Sequence, residues 1–149
     1  PLVDLAGRVV GVNVAMDDSG RSLGFALPIN DIRPVIRSAR EEGMIVRPYL
    51  GLRFVMLNSD IAEARGLERD EGAWVTGGAN GEAAVVPEGP AARAGVLEND
   101  IVYEINAIPL RGQDTLPSVV QRYRPGDRIG LKIRRGGEIL VKVVELGRF

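Results

Sequence analysis

The segment PAARAGVLENDIVYEIN, residues 90–106, places a helix start, a helix stop and a β-strand in close succession. Pro90 and the alanines after it predict a single helical turn, because proline is tolerated at the first helical position and alanine is a strong helix former. Gly95 predicts a sharp exit from that turn. Asp100 stands where the next strand begins, and Asn106 stands where that strand turns. The spacing therefore predicts a one-turn helix pressed against a β-sheet.

Most of the remaining chain is predicted to form short strands separated by turn residues. β-branched or alternating apolar residues predict strands at 9–15, 23–27, 51–56, 73–76, 129–133 and 139–144. Apolar residues at helical spacing predict helices at 30–42 and 114–123, with a shorter one between them. The expected caps of these three helices are Asn30, Asp114 and Ser59. The predicted fold class is mainly β with short helices, an α+β fold.

Histidine and cysteine are both absent from the sequence of 149 residues. No Ser-His-Asp or Cys-His relay can form within this chain, so no catalytic residue is assigned to it. Disulfides and thiolate metal sites are excluded as well, and neither a metal nor a cofactor is expected. The formal net charge of −1 gives no indication of a nucleic-acid partner. No apolar run reaches the length of a membrane span, and no signal-peptide pattern is present.

A glycine interrupts the predicted strand in RPYLGLRFV, residues 47–55. Gly51 weakens a strand, since glycine loses the most backbone entropy on ordering and offers no side chain for packing. Two interpretations follow. The glycine is either a strand irregularity, or a place where a ligand or another backbone approaches the main chain closely.

From about residue 49 onward, the order of elements resembles a PDZ domain of the bacterial HtrA (Deg) serine-protease type. The segment 90–106 fits that family's P-A-x-x-A-G-[LV]-x-x-x-D-x-[IV]-x-x-[IVL]-N run. Two features depart from the family. Ala107 stands where glycine usually follows Asn106, which implies a different turn type or some strain. The loop at 77–86 is also longer than in many members.

The first part of the chain resembles the domain that precedes the PDZ domain in the same family. PLVDL, GRVVGVN and GFALP, at 1–5, 7–13 and 24–28, resemble the segment just after the catalytic serine of the trypsin-like barrel. By this resemblance Ala15 and Met16 wall the S1 pocket of a parent protease, although core positions in the barrel remain the alternative for both. The implied organisation is a C-terminal remnant of a protease domain at 1–43, a linker at 44–48 and a PDZ domain at 49–149. The chain is therefore interpreted as part of a longer protein.

In PDZ domains the loop that matches YLGL, residues 49–52, offers backbone N–H groups to the carboxylate of a peptide C-terminus. The glycine lets the main chain curl into such an anion-binding nest, and the strand edge after it can pair with the peptide. The resemblance implies partners that are protein or peptide C-termini with an apolar last residue. The implied peptide-binding residues are Tyr49, Leu50, Gly51, Leu52, Arg53 and Phe54, with Leu116, Val119 and Val120 supplying the apolar pocket.

Three classes of function follow from this interpretation. The first is a PDZ module that binds hydrophobic C-termini of substrate or misfolded proteins. The second is a serine endopeptidase acting without ATP in protein quality control, which only an intact parent could be. The third is an element of assembly or regulation, whose groove is filled by the protein's own chain or by a neighbouring subunit. Family resemblance implies a bacterial extracytoplasmic location, in the periplasm or cell envelope, and a parent that forms a homotrimer or a higher oligomer.

Overall fold

The computed structural model describes the backbone of residues 1–17 and 23–149, and it describes their side chains except at 15–17, 23 and 42. The chain divides into two compact units, Pro1–Val46 and Arg47–Phe149. Strands dominate both units and the described helices are short, which confirms the predicted mainly β fold class. The described residues form no closed barrel. None of the helices in these ranges is long and apolar enough to span a bilayer.

The first unit is a three-stranded antiparallel sheet with one helix. Its elements are β1 (Leu2–Val3), β2 (Val9–Asp17), β3 (Leu23–Pro28) and α1 (Ile29–Glu42), with β2 in the centre of the sheet. Pro28 occupies the N-cap of α1 and Asn30 lies inside the helix, so the prediction that Asn30 caps it was wrong. Gly43 ends α1 in the left-handed conformation, with φ of 70°.

Apolar side chains of the first unit are largely exposed. Among its described apolar residues only Val46 is buried, whereas Val14 and Phe25 keep 59% and 58% of their surface exposed. The other exposed large apolar residues of this unit are Leu2, Val3, Leu5, Val9, Val10, Val12, Leu27, Ile36, Met44 and Ile45. A sheet of this kind gains little stability from its own packing, because burial of apolar area supplies most of the folding free energy.

The second unit is built on a larger antiparallel sheet. Its strands are β4 (Pro48–Tyr49), β5 (Phe54–Met56), β6 (Ala73–Val75), β7 (Ile101–Ile105), β8 (Ile108–Pro109), β9 (Arg128–Arg135), β10 (Glu138–Glu145) and β11 (Gly147–Arg148). Its helices are α2 (Ser59–Arg65), α3 (Pro90–Arg93) and α4 (Leu116–Val120). The main sheet runs in the order β10-β9-β7-β6-β5, β8 pairs with β7, and β11 pairs with β4. This order leaves β5 at one edge of the sheet.

One hydrophobic core joins this sheet to α3 and α4. Its sheet members include Val75, Val102 and Leu131, and its helix members include Ala91 and Val119, all of them completely buried. The small alanine of α3 lets that single turn approach the sheet, as the sequence predicted. The core therefore fixes α4 relative to the strands.

Two helices in this unit begin one residue away from the predicted cap. Asn58, not Ser59, caps α2, because its side chain accepts a hydrogen bond from the N–H of Ile61 at 2.8 Å. Thr115, not Asp114, caps α4 through the N–H of Ser118 at 3.3 Å. In both cases two adjacent residues are good caps, so the sequence alone does not choose between them.

Ala107, which stands where the family usually has glycine, lies in a strained turn. Asn106 and Ala107 have φ values of 46° and 65° and form the two-residue connection between β7 and β8. Positive φ at both central positions defines a type I′ hairpin turn, which favours glycine at its second position. Asn106 stabilises this turn by accepting a hydrogen bond from the N–H of Gly130 at 2.8 Å.

Candidate functional site

A free strand edge runs along residues 52–54. The backbone N–H and carbonyl of Arg53 both point toward the interior of the sheet. The N–H donates to the carbonyl of Ala84 at 2.7 Å, and the carbonyl accepts from the N–H of Thr76 at 3.2 Å. Backbone groups of successive strand residues point to opposite sides, so those of Leu52 and Phe54 point outward from the sheet. An outward row of donors and acceptors on an edge strand is a template for pairing with another chain.

The loop just before this edge presents further donors. Gly51 has a φ of +77°, a conformation that other residues adopt only with strain. The carbonyl of Leu50 accepts from Ala91 at 2.9 Å, and that of Gly51 accepts from Val86 at 2.9 Å. Each peptide unit is planar, so a fixed carbonyl makes the N–H of the next residue point the opposite way. Within the described ranges, no acceptor binds the N–H groups of residues 50–52.

An apolar pocket lies between this loop and α4. Its volume is about 160 Å³. The residues that line it are Arg47, Pro48, Tyr49, Leu50, Gly51, Leu52, Phe54, Leu116, Pro117, Val120 and Gln121. Among these described lining residues only Arg47 carries a charge, so the pocket is suited to an apolar side chain, with a positive charge close by. The loop, the strand edge and this pocket are called the groove below.

Tyr49 stabilises one side of the groove. Its backbone pairs with Gly147 of β11, and its ring lies 5.6 Å from the ring of Phe149, tilted by 31°. The same ring packs on Gly51, where an added Cβ would lie 3.4 Å from a ring carbon. The aromatic side chain therefore packs against the glycine turn and stabilises it.

Seven of the nine predicted peptide-binding residues line the pocket of the groove, and two do not. The residues that line it are Tyr49, Leu50, Gly51, Leu52, Phe54, Leu116 and Val120. Val119 instead lies in the core with no exposed surface, since it occupies the part of α4 that faces the sheet. The side chain of Arg53 points away from the groove, toward residues 82 and 83. Neither side chain lines the pocket, and contact of either residue with a peptide stays a prediction.

Sequence reasoning missed Arg47, Pro48, Pro117 and Gln121. Pro117 of α4 and Gln121, the residue that caps the end of α4, are spaced i, i+4 and follow the predicted Leu116 and Val120, so helical spacing could have found them. Arg47 and Pro48 immediately precede the predicted loop and gave no separate signal. In the described ranges no three histidine, cysteine or acidic residues are grouped so that they could hold a metal ion.

The S1-pocket prediction concerns Ala15 and Met16. Their backbone lies in β2, opposite Phe25 and Gly24 of β3. Their side chains lie outside the described part of the structure, so their assignment to an S1 pocket stays a prediction.

Comparison with known proteins agrees with this geometry. The family model described as "PDZ domain" matches residues 48–146. The chain therefore belongs to the PDZ domain family. It is also homologous over most of its length to HtrA-type proteases, which confirms the resemblance noted in the sequence.

The curated relatives have the name "Probable periplasmic serine endoprotease DegP-like". The relative from Halomonas elongata is 32% identical over 93% of this chain and 28% of its own length. The relative from Hahella chejuensis is 32% identical over 99% of this chain and 31% of its own length. The chain thus spans less than a third of the curated relatives that it matches.

Solved structures show the same similarity. The HtrA-type protease AlgW with a decapeptide has a TM-score of 0.74 and 31% identity, over 99% of this chain and 44% of that one. The HtrA3 PDZ domain bound to the phage-derived ligand FGRWV has a TM-score of 0.57 and 21% identity, over 70% of this chain and 88% of that one. The latter similarity concerns the fold alone.

Proposed function

We propose that this chain is a peptide-binding module that captures the C-terminus of other proteins when the last residue is apolar. The observation that carries the proposal is the placement of the N–H groups of residues 50–52 beside an outward strand edge and an apolar pocket. A peptide would lie antiparallel along residues 52–54, adding one strand to the sheet at β5.

The carboxylate of the peptide is the natural acceptor for these N–H groups. Hydrogen bonds to a charged acceptor are about twice as strong as neutral ones. The carbonyls of Leu50 and Gly51, fixed by Ala91 and Val86, hold the N–H groups of Gly51 and Leu52 in place before binding. Burial of one apolar side chain adds roughly 1.5–3 kcal/mol. After ordering costs, we expect a binding free energy on the order of −7 to −8 kcal/mol, which corresponds to micromolar affinity.

The comparisons support peptides as the partner. Structures of AlgW are named as complexes with a decapeptide and with a tripeptide. They leave open which end of a peptide this chain recognises. That choice rests on the loop of residues 50–52.

The first unit is proposed to be the end of a trypsin-like protease domain, at residues 1–43, joined by a linker at 44–48 to the PDZ domain at 49–149. Its exposed apolar strands support this, because neighbouring strands of a barrel would cover them. The intact protein would then be a serine endopeptidase, as its relatives are named, with an apolar S1 pocket at Ala15 and Met16. The relatives' periplasmic names favour an extracytoplasmic location. A homotrimer or higher oligomer is proposed from family resemblance alone.

Addition of the pentapeptide FGRWV to isotope-labelled protein tests the binding proposal. We expect the largest amide shifts at residues 50–54, with accompanying methyl shifts at Leu116 and Val120. Saturable shifts confined to other surfaces would contradict the proposed groove. Loss of signal through self-association, without any response to peptide, would favour the assembly role instead.

A further inference from the structure

Arg53 lies in the wall of the groove, yet its side chain turns away from it. The guanidinium Nη1 donates to the carbonyl of Ala83 at 2.7 Å, and Nε lies 3.3 Å from Oε2 of Glu82. The backbone N–H of Arg53 donates to Ala84 at 2.7 Å. One residue thus joins the strand edge to three consecutive residues, 82–84, of the glycine-rich loop at 77–86.

That loop depends on such contacts for its order. Its glycines have no side chains to pack, and each loses much conformational entropy when it is fixed. The N–H of Gly78 donates to the carbonyl of Glu82 at 3.0 Å, which closes the loop on itself. Gly78 also leaves room for the Glu82 carboxylate, because a Cβ there would lie 2.2 Å from Oε2. The loop is therefore shaped so that Glu82 can reach Arg53.

The end of the same loop orients the donors of the groove. Leu52 pairs with Val85, and the N–H of Val86 holds the carbonyl of Gly51 at 2.9 Å. That carbonyl shares a planar peptide unit with the N–H of Leu52, so its direction determines where this donor points. Arg53 therefore holds residues 82–84 in place, and residues 84–86 in turn set the direction of the Leu52 N–H.

We propose that Arg53 is a positioning residue for peptide capture, holding the glycine-rich loop against the strand so that the Leu52 N–H points into the groove before a peptide arrives. Preorganisation of this kind improves affinity by lowering the ordering cost of binding, without any contact to the ligand. This inference rests on the proposed function, because it concerns the same groove.

The test compares Arg53→Met with Arg53→Lys, Glu82→Gln and the control Arg134→Met. Arg134 also pairs with a glutamate, Glu68, at 2.9 Å, but it lies on β9, outside the groove lining. Dissociation constants are measured for fluorescein-labelled FGRWV with a free carboxylate, alongside thermal unfolding. Because the Arg53–Glu82 pair is half-exposed, we expect Arg53→Met to weaken binding by about three- to tenfold, and Glu82→Gln by about twofold. Arg53→Lys should recover part of the loss, and Arg134→Met should bind as the unmodified chain does.

Hydrogen exchange of the free protein supplies a readout that does not need a ligand. Arg53→Met should speed exchange at the N–H groups of Val86 and Arg53, which join the loop to the strand. It should leave exchange unchanged at the N–H of Leu110, which donates to the carbonyl of Tyr103 at 2.8 Å, away from the loop. Unchanged exchange at Val86 together with unchanged affinity would overturn the positioning role. If the unmodified chain binds no peptide, the proposed function fails, while the exchange data still decide whether Arg53 holds the loop. If Arg53→Met does not fold, Arg53→Lys and Glu82→Gln are compared with the unmodified chain instead. Affinity equal to that of the unmodified chain in both variants would overturn the proposal.

Discussion

Arg135 donates hydrogen bonds to both carboxylate oxygens of Asp100, from Nε to Oδ1 at 2.7 Å and from Nη2 to Oδ2 at 2.8 Å. Asp100 has no exposed surface, and its Oδ2 also accepts from the N–H of Leu97 at 2.9 Å. Arg135 reaches the carbonyl of Gly95 as well, at 2.8 Å. The hydrogen bonds from Arg135 to Asp100 raise the pKa of the guanidinium above its usual value. The aspartate in the segment 90–106 thus ties the exit of α3 to β9.

Arg135→Ala is expected to destabilise the second unit by about 3 kcal/mol, because it leaves the buried Asp100 carboxylate without its charged partner. The neighbouring Arg134→Ala serves as the control, since Arg134 pairs with the exposed Glu68 and such pairs contribute about 1 kcal/mol or less. Chemical denaturation followed by tryptophan fluorescence measures both. Equal losses of unfolding free energy in the two variants would show that the Arg135–Asp100 pair contributes no more to stability than the exposed Arg134–Glu68 pair.

Ala107→Gly is expected to raise stability by about 0.5–1 kcal/mol. Alanine at a φ of 65° carries the left-handed penalty that glycine avoids, and this gain exceeds the extra entropy that glycine brings to the unfolded chain. Thermal unfolding of the two proteins provides the measurement. A lower midpoint in the glycine variant would mean that the turn is not strained.

Amide exchange should differ sharply between the two units. We expect slow exchange at completely buried strand residues such as Val102 and Leu131, and fast exchange through most of residues 1–43, whose described apolar side chains are largely exposed. Mass spectrometry after pepsin digestion resolves the two regions. Uniformly slow exchange across 1–43 in a monomeric sample would contradict the proposal that this segment needs further strands to cover it.

The turn at residues 4–8 should keep its hydrogen bonds to pH values below the ordinary pKa of aspartate. Hydrogen bonds from the backbone N–H and the side chain of Arg8 lower the pKa of Asp4 below its ordinary value. Because the pKa of Asp4 is lower in the folded chain than in the unfolded chain, its hydrogen bonds contribute their full stabilisation at pH values above the unfolded pKa. That stabilisation is lost as the pH falls through the folded pKa. Amide shifts of Ala6 and Arg8, which donate to Asp4 at 2.9 Å, should therefore titrate with a midpoint below the ordinary value for aspartate. A midpoint at or above that value would contradict the bonded turn.

Much of the fold could be predicted from the sequence because its signals are local. The segment 90–106 indicated a helical turn and a strand, and Gly51 indicated either a strand irregularity or a close approach to the backbone, at a position where the structure has a φ of +77°. The partner of Arg53 could not be predicted, because Ala83 lies 30 residues along the chain. Val119 and Val120 share one apolar stripe of α4 and both are buried in the core, and only tertiary packing decides that Val120 also lines the groove.

The most direct measurement compares the affinity of this chain for FGRWV with a free C-terminus and for the same peptide with an amidated C-terminus. Amidation removes the negative charge and leaves every side chain of the peptide unchanged. If residues 50–52 hold a carboxylate, the free acid should bind with micromolar affinity and the amide at least about tenfold more weakly, because the lost charge-assisted hydrogen bonds contribute about 1.5–3 kcal/mol. Equal binding of the two peptides would contradict the carboxylate-binding role of the loop and leave strand pairing at β5 as the basis of recognition.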